Sequence, residues 1–193
     1  EYGRQQNDDD KSLAQLLSLS SIETQMVDFK IGLTYFKDGD WNCDEIDKIG
    51  KTLVAMANTN NVHQDVRYVI VGIADNEKAY EDWKSVYDKP CAIYGRHHIV
   101  GICEEACRRY KNIDEFVRVF STKLANLDIS KDILEYTLVN MRVADFCDKD
   151  LLILPVCHTG NGKYKGLKHR REFSKNVQIG EQRTERTKAL NAF

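Results

Sequence analysis

The run Tyr68–Ile73, Y-V-I-V-G-I, constrains the fold most. Alternate residues of a strand point to opposite faces, so a strand apolar throughout needs carbon on both sides. With Val69, Ile70, Val71 and Ile73 all β-branched, the run reads as a buried strand with cover above and below. It stops at Ala74-Asp75-Asn76, where polarity returns. One cover is legible upstream. After the turn Asp38 to Cys43, a helix is expected from Asp44, with Ile46, Ile49, Leu53 and Met56 or Ala57 in one apolar stripe. Asn58-Thr59 reads as its C-terminal cap, because Asn tolerates the left-handed conformation.

The other segments read less sharply. Asn7 to Asp10 caps a helix over Lys11–Leu19, and a first strand follows from about Thr24 to Lys30. Glu77 to Pro90 reads as an inserted loop or short helix. Its Tyr80, Trp83 and Tyr87 either pack on the domain or stack on bases. His97–Ile102 reads as a strand leading into a helix through Glu104–Tyr110, and Ile113–Leu124 as an amphipathic helix. Leu134–Val143 and Leu151–Val156 read as antiparallel strands flanking the turn Phe146–Lys149, and Asn176–Ile179 as a last strand. Without a regular βαβα alternation, the expected class is α+β with a mixed β-sheet and flanking helices, forming a single lobe. Residues 1–19 are a polar lead-in and N-terminal helix, 20–180 the α+β domain, and 181–193 a basic C-terminal tail or helix.

At 193 residues, 42% hydrophobic and 30% charged, the chain is long enough for a core and too apolar for disorder. No apolar run is long enough to span a membrane, and no signal peptide is visible, so a cytoplasmic protein is expected. The six cysteines then read mostly as reduced thiols. The chain does not begin with Met, which fits a processed or trimmed piece. Net charge is -2, but it is unevenly spread: Thr159 to Phe193 carry nine Lys/Arg against three acids. A basic end on an acidic body suits a polyanion-facing surface as well as a solvated tail.

The stretch S-I-E-T-Q-M-V-D-F-K, Ser21 to Lys30, carries the candidate chemistry. Strand periodicity puts Asp28 and Lys30 on one face and Phe29 on the other. Glu23 enters this strand, and Asp75 sits just past the end of the buried one. Carboxylates are what Mg²⁺ or Mn²⁺ requires, because these hard ions prefer oxygen ligands. Lys30 beside them suits the negative charge that builds up on a phosphate under attack. The bland alternative is a surface ion pair of Asp28 and Lys30 with Glu23 in solvent.

Four blocks occurring in order, E-T-Q-M-V-D-F-K, I-G-K-T-L-V-A-M-A-N-T, Y-V-I-V-G-I-A-D-N and H-H-I-V-G-I-C-E-E-A, resemble the Schlafen core, or Schlafen-type Alba-like, domain. The later D-L-L-I-L-P-V and K-N-V-Q-I-G-E-Q-R-T-E-R-T fit more loosely, so the resemblance runs from Ser20 to Lys188. Members of that family include metal-dependent endoribonucleases that cut transfer and ribosomal RNA with three acids, and nucleic-acid-binding domains without assigned activity. By position, the resemblance implies Glu23, Asp28 and Asp75 as catalytic acids and Mg²⁺ or Mn²⁺ ligands, with Lys30 on the phosphate. It departs from the family at Asp28, where Glu is usual, at Ala74, where an acid is usual, and at Gln178, where Arg is usual. Lys163, Lys165, Lys168, Arg170, Arg171, Lys175 and Arg183 would track the nucleic-acid backbone. Active relatives clamp RNA between two similar lobes, which implies a homodimer here. The expected function is cleavage of structured RNA, most of all tRNA; the alternatives are a non-catalytic DNA- or RNA-binding module and a protein-interaction domain.

Two further groups stand out in the sequence. Cys103-x-x-x-Cys107, near Cys91, His97 and His98 and with Cys157-His158 in reserve, is a candidate structural zinc set, against a default of buried thiols. Gly160-Asn161-Gly162-Lys163 lacks the glycine spacing and Ser/Thr of a phosphate-binding loop and reads as a turn.

Overall fold

A computed structural model describes residues 13–15, 17, 26–59, 66–172 and 175–179. In chain order the elements are β1 (Val27–Lys30), α1 (Cys43–Asn58), β2 (Arg67–Val71), β3 (Ile73–Ala74), α2 (Glu77–Tyr87), β4 (Ala92–Tyr94), β5 (His97–Ile99), α3 (Cys103–Cys107), α4 (Ile113–Ala125), α5 (Lys131–Asn140), β6 (Arg142–Asp145), β7 (Asp150–Val156), β8 (Lys163–Tyr164), β9 (Leu167–Glu172) and β10 (Lys175–Ile179). The main sheet runs β1-β2-β7-β6. Its β1–β2 pair is parallel, while β2–β7 and β7–β6 are antiparallel. The fold is therefore α+β with a mixed sheet. Two smaller antiparallel sheets, β3-β5-β4 and β10-β9-β8, complete it.

The buried strand behaves as its composition requires. Val69 and Val71 face a core built with Leu53, Val54 and Met56 of α1, Phe116 and Phe120 of α4, and Leu152, Leu154 and Val156 of β7. Ile70 faces a second core with Val27, Phe29, Ile99, Leu151, Ile153, Leu13 and Leu17. Carbon thus lies on both sides of β2. Edge strand β1 matches this with one apolar face only, Val27 and Phe29. Asp28 and Lys30 pair in register with Val69 and Val71 and so share the side of the sheet covered by α1.

Gly72 is the pivot between sheets. Its N–H donates to the Lys30 carbonyl at 2.8 Å, and its own carbonyl accepts from Val100 and Gly101, both at 2.9 Å. Its φ is 105°, and a Cβ there would stand 3.0 Å from the Gly101 Cα. Arg67 is wholly buried, although sequence reasoning gave it no role. Its guanidinium donates to the Met56 and Thr59 carbonyls at 2.6 and 2.7 Å, placing positive charge at the C-terminal end of α1.

Three expectations need correction. Residues 134–140 are helical, and the strand expected over Leu134–Val143 shrinks to Arg142–Asp145. Ile133, Leu134, Thr137 and Leu138 recur at helical spacing, a pattern the β-branched content of the segment obscured. The turn Phe146–Lys149 is where it was expected: Phe146 N–H donates to Lys149 at 2.8 Å, and Cys147 and Asp148 have positive φ. Asn58 is not a left-handed cap; Thr59 ends the helix in extended conformation at φ -71°. The Asn58 amide instead donates to the Gly162 and His169 carbonyls at 2.8 and 2.7 Å and accepts from Gly162 N–H at 2.7 Å, pinning the β8–β9 hairpin to α1. Finally, His97–Ile102 is strand only to Ile99, and the following helix is the short α3.

Replacing Gly72 with Ala forces a side chain into a disfavoured backbone region and against fixed backbone. An unfolding free energy lower by about 3 kcal/mol is expected in urea titration. Unchanged stability would mean that the chain does not pivot as described.

Candidate functional site

The carboxyl end of β1, the loop after it and the first turn of α1 enclose a cleft of about 300 Å³. Lys30, Gly32, Thr34, Tyr35, Asn42, Glu45 and Asp75 are among its walls. α1 starts here because Asn42 caps it, accepting from Glu45 N–H at 3.1 Å. That cap aims the first helical turn, and with it Glu45, at the end of β1.

Lys30 is the hub. Its Nζ lies 2.8 Å from Asp28 Oδ2 and 3.6 Å from Glu45 Oε1. The Asp28 side chain is 4% exposed, against 17% for Lys30 and 19% for Glu45. Asp28 therefore sits behind Lys30, while Lys30 and Glu45 reach the cleft. Lys48 joins Glu45 from solvent at 3.0 Å. Asp75 enters from the far wall, exposed, with Asn76 donating to its Oδ1 at 2.7 Å. Asp28, Glu45 and Asp75 against Lys30 and Lys48 leave this group at -1. Such a site repels phosphate unless a further cation is bound.

Of the expected site residues, Asp75 and Lys30 share the cleft, Asp28 supports it from behind, and Glu23 lies outside the described residues. Glu45 was missed. The signal was an acid in the first turn after an Asn cap, which is common enough to pass as helix chemistry. Among the described residues no three His, Cys, Asp or Glu side chains gather as a metal cage. Mg²⁺ does not require one, since it is usually held through one or two carboxylates plus water and substrate phosphate. Glu45 and Asp75, facing one cleft, fit that donor set.

The cleft loop is held from beneath by α3 and the residues after it. Glu105, 4% exposed, accepts from Leu33 N–H at 2.7 Å and from Thr34 N–H. Arg108 donates to the Phe36 and Lys37 carbonyls, and Arg109 pairs with Asp40. Glu105 and Arg108 thus fix the backbone from 33 to 37, and Arg109 holds the Asp40 side chain. Burial pushes the Glu105 carboxyl up to about 7, against the pull of its hydrogen bonds. A Cβ on Gly32 would meet Glu105 Oε2 at 2.8 Å, so glycine is what lets the loop lie this close.

The basic residues are less concentrated than expected. Lys165, at the β8–β9 turn, is tied to Asp47 of α1 at 2.8 Å, and this bond holds the Asp47 carboxyl below its ordinary range. Lys163 is exposed on β8, and its N–H donates to Ser130 Oγ at 2.7 Å. Lys168, Arg170, Arg171 and Lys175 fall on the paired strands β9 and β10. Arg183 lies outside the described residues. Of the α2 aromatics, Trp83 is buried, stacked with Tyr80 and in tilted contact with Tyr87, which is the packing reading. The thiol candidates fall into separate pairs: Cys103 Sγ meets Cys107 Sγ at 3.7 Å, and Cys91 meets His98. His97 is buried against Phe29. None of the six cysteines forms a disulfide.

No protein-family model matches this chain, and neither does any curated protein sequence. Among solved structures it is similar to the DIP2311 protein of Corynebacterium diphtheriae, with TM-score 0.48 and 16% identity over 93% of this chain. The match spans only 27% of that protein. It is also similar to the N-terminal domain of a RecG-related protein from Nitrosomonas europaea, with TM-score 0.44 and 16% identity over 89% of this chain and 94% of that one.

Glu105 gives the site a pH signature. A carboxyl raised from 4.5 to about 7 stabilises the fold while protonated, and that stability is lost as pH rises through about 7. Between about pH 5 and pH 8, wild type should lose about 3 kcal/mol relative to Glu105→Gln, whose profile should be flatter. Parallel profiles in chemical denaturation would contradict this role.

Proposed function

We propose that this chain is a divalent-metal-dependent endoribonuclease of Schlafen type, acting on structured RNA and above all on tRNA. The observation that carries the proposal is that Lys30, Glu45 and Asp75 open on one cleft with net negative charge, with Asp28 locked behind Lys30. In this reading Glu45 and Asp75, with Glu23, supply oxygen ligands. Bound Mg²⁺ or Mn²⁺ would polarise the phosphodiester and acidify a water. Asp28 holds the Lys30 ammonium at the cleft wall, where it neutralises charge developing on the phosphate. The loop fixed by Glu105 keeps that wall in place before substrate arrives. Lys48 and Lys51 of α1, with Lys163 and Lys165 of the hairpin, would offer positive charge for the RNA backbone. A second copy of the chain would supply the other half of an RNA clamp. No helix among the described residues is long and apolar enough to cross a membrane; a cytoplasmic setting belongs to the proposal.

A non-catalytic DNA- or RNA-binding module is the second reading. It is favoured by the absence of a three-ligand group among the described residues. Bulk tRNA incubated with Mn²⁺ separates the two. Discrete fragments are expected, absent with chelator and reduced about a hundredfold or more by Asp75→Asn or Lys30→Met. Intact tRNA bound in a salt-sensitive manner by folded protein would establish the binding module instead.

A further inference from the structure

Outside the cleft, three elements bring a thiol, an imidazole and a carboxylate into line. Cys91 lies just before β4, His98 is on β5 of the same hairpin, and Glu77 opens α2. Cys91 Sγ is 3.5 Å from His98 Nδ1, and Glu77 Oε2 is 2.8 Å from His98 Nε2. The two contacts use opposite ring nitrogens. A metal held by this histidine would need both partners at the same nitrogen, so the row is a relay and not a cation site.

The chemistry follows from the tautomer. A carboxylate accepts only, so Glu77 fixes the proton of His98 on Nε2. Nδ1 then carries the lone pair and faces the Cys91 S–H. Tyr80 stacks on the His98 ring, 4.2 Å between centroids and 15° between planes, which locks the ring's orientation. A hydrogen bond to Cys91, together with burial, pushes the Tyr80 hydroxyl up. The Cys91 sulfur is thereby flanked by a base on one side and a donor on the other. Cys91 is half-buried and so remains reachable. Nucleophile, base and orienting carboxylate in this order are the requirements for an activated thiol.

We infer that Cys91, His98 and Glu77 form a thiol-exchange site whose co-reactant is a low-molecular-weight disulfide. The Cys91 S–H gives its proton to His98 Nδ1, and the thiolate attacks one sulfur of the disulfide. A protein–small-molecule S–S bond forms as the original S–S bond breaks. The departing thiolate takes the proton back from His98 and leaves as a thiol. Thiol plus disulfide becomes mixed disulfide plus thiol, with no further oxidant. The site adjoins the cleft in sequence, since Asp75 and Glu77 bracket the Asn76 cap of α2, but it does not rest on the ribonuclease reading.

The internal controls are the other cysteines. Cys43, Cys103, Cys107 and Cys147 are more exposed than Cys91, and burial with its Cys107 partner pushes Cys103 up to about 11. The folded protein is incubated with glutathione disulfide, quenched by acid at intervals, and each cysteine is followed by peptide mass spectrometry. Cys91 is expected to be modified about tenfold faster than Cys43 or Cys147. His98→Gln should bring it down to their rate, and Glu77→Gln should slow it by a smaller factor. The wild-type comparison needs no variant to fold. Cys91 reacting no faster than the exposed cysteines overturns the proposal, as does an unchanged rate in a folded His98→Gln protein.

Discussion

Everything in this structure is arranged around one strand that cannot touch water. Arg67–Val71 is paired on both edges and needs apolar cover on both faces. Those needs place α1 on one side and the Phe29–Ile153 core on the other. Once α1 is set there, its Asn42-capped start falls at the end of β1, the strand whose helix-side face is polar. The cleft is the consequence: the parallel pair β1–β2 ends where a helix begins. The buried Arg67 ties the far end of α1 to the same strand, so both ends of the helix are referenced to β2.

The electrostatics of the cleft are layered. Asp28 is behind, Lys30 in the middle, Glu45 and Asp75 in front. An ammonium held between carboxylates loses the conformational freedom an exposed lysine would keep. Its charge is largely offset, which leaves the front of the cleft negative. Glu105 and Arg108 hold the loop from below with backbone-directed bonds and Arg109 through the Asp40 side chain, so the wall geometry does not depend on side chains in the cleft itself.

The fold was legible wherever periodicity was strong. Tyr68–Ile73 and the α1 stripe announced themselves, because burial on two faces and burial on one leave different patterns. Leu134–Val143 was not legible, because apolar β-branched residues satisfy both periods over so short a run. In the site, Asp28 with Lys30 was readable from strand alternation. Glu45 and Glu105 were not: nothing local distinguishes a first-turn acid that faces a cleft from one that faces water. Nor does the sequence show that a glutamate between Glu104 and Ala106 will be sealed under a loop 71 or 72 residues earlier. Those roles are created by tertiary approach.

On the proposed function, the cleft beside Lys30 takes a divalent cation. Paramagnetic broadening of backbone amide signals on titration with Mn²⁺ tests it directly. Broadening should centre on Ile31, Gly32 and Asp75 and move away from the cleft in Asp75→Asn. Broadening spread over the acidic surface, or none near these residues, would contradict it.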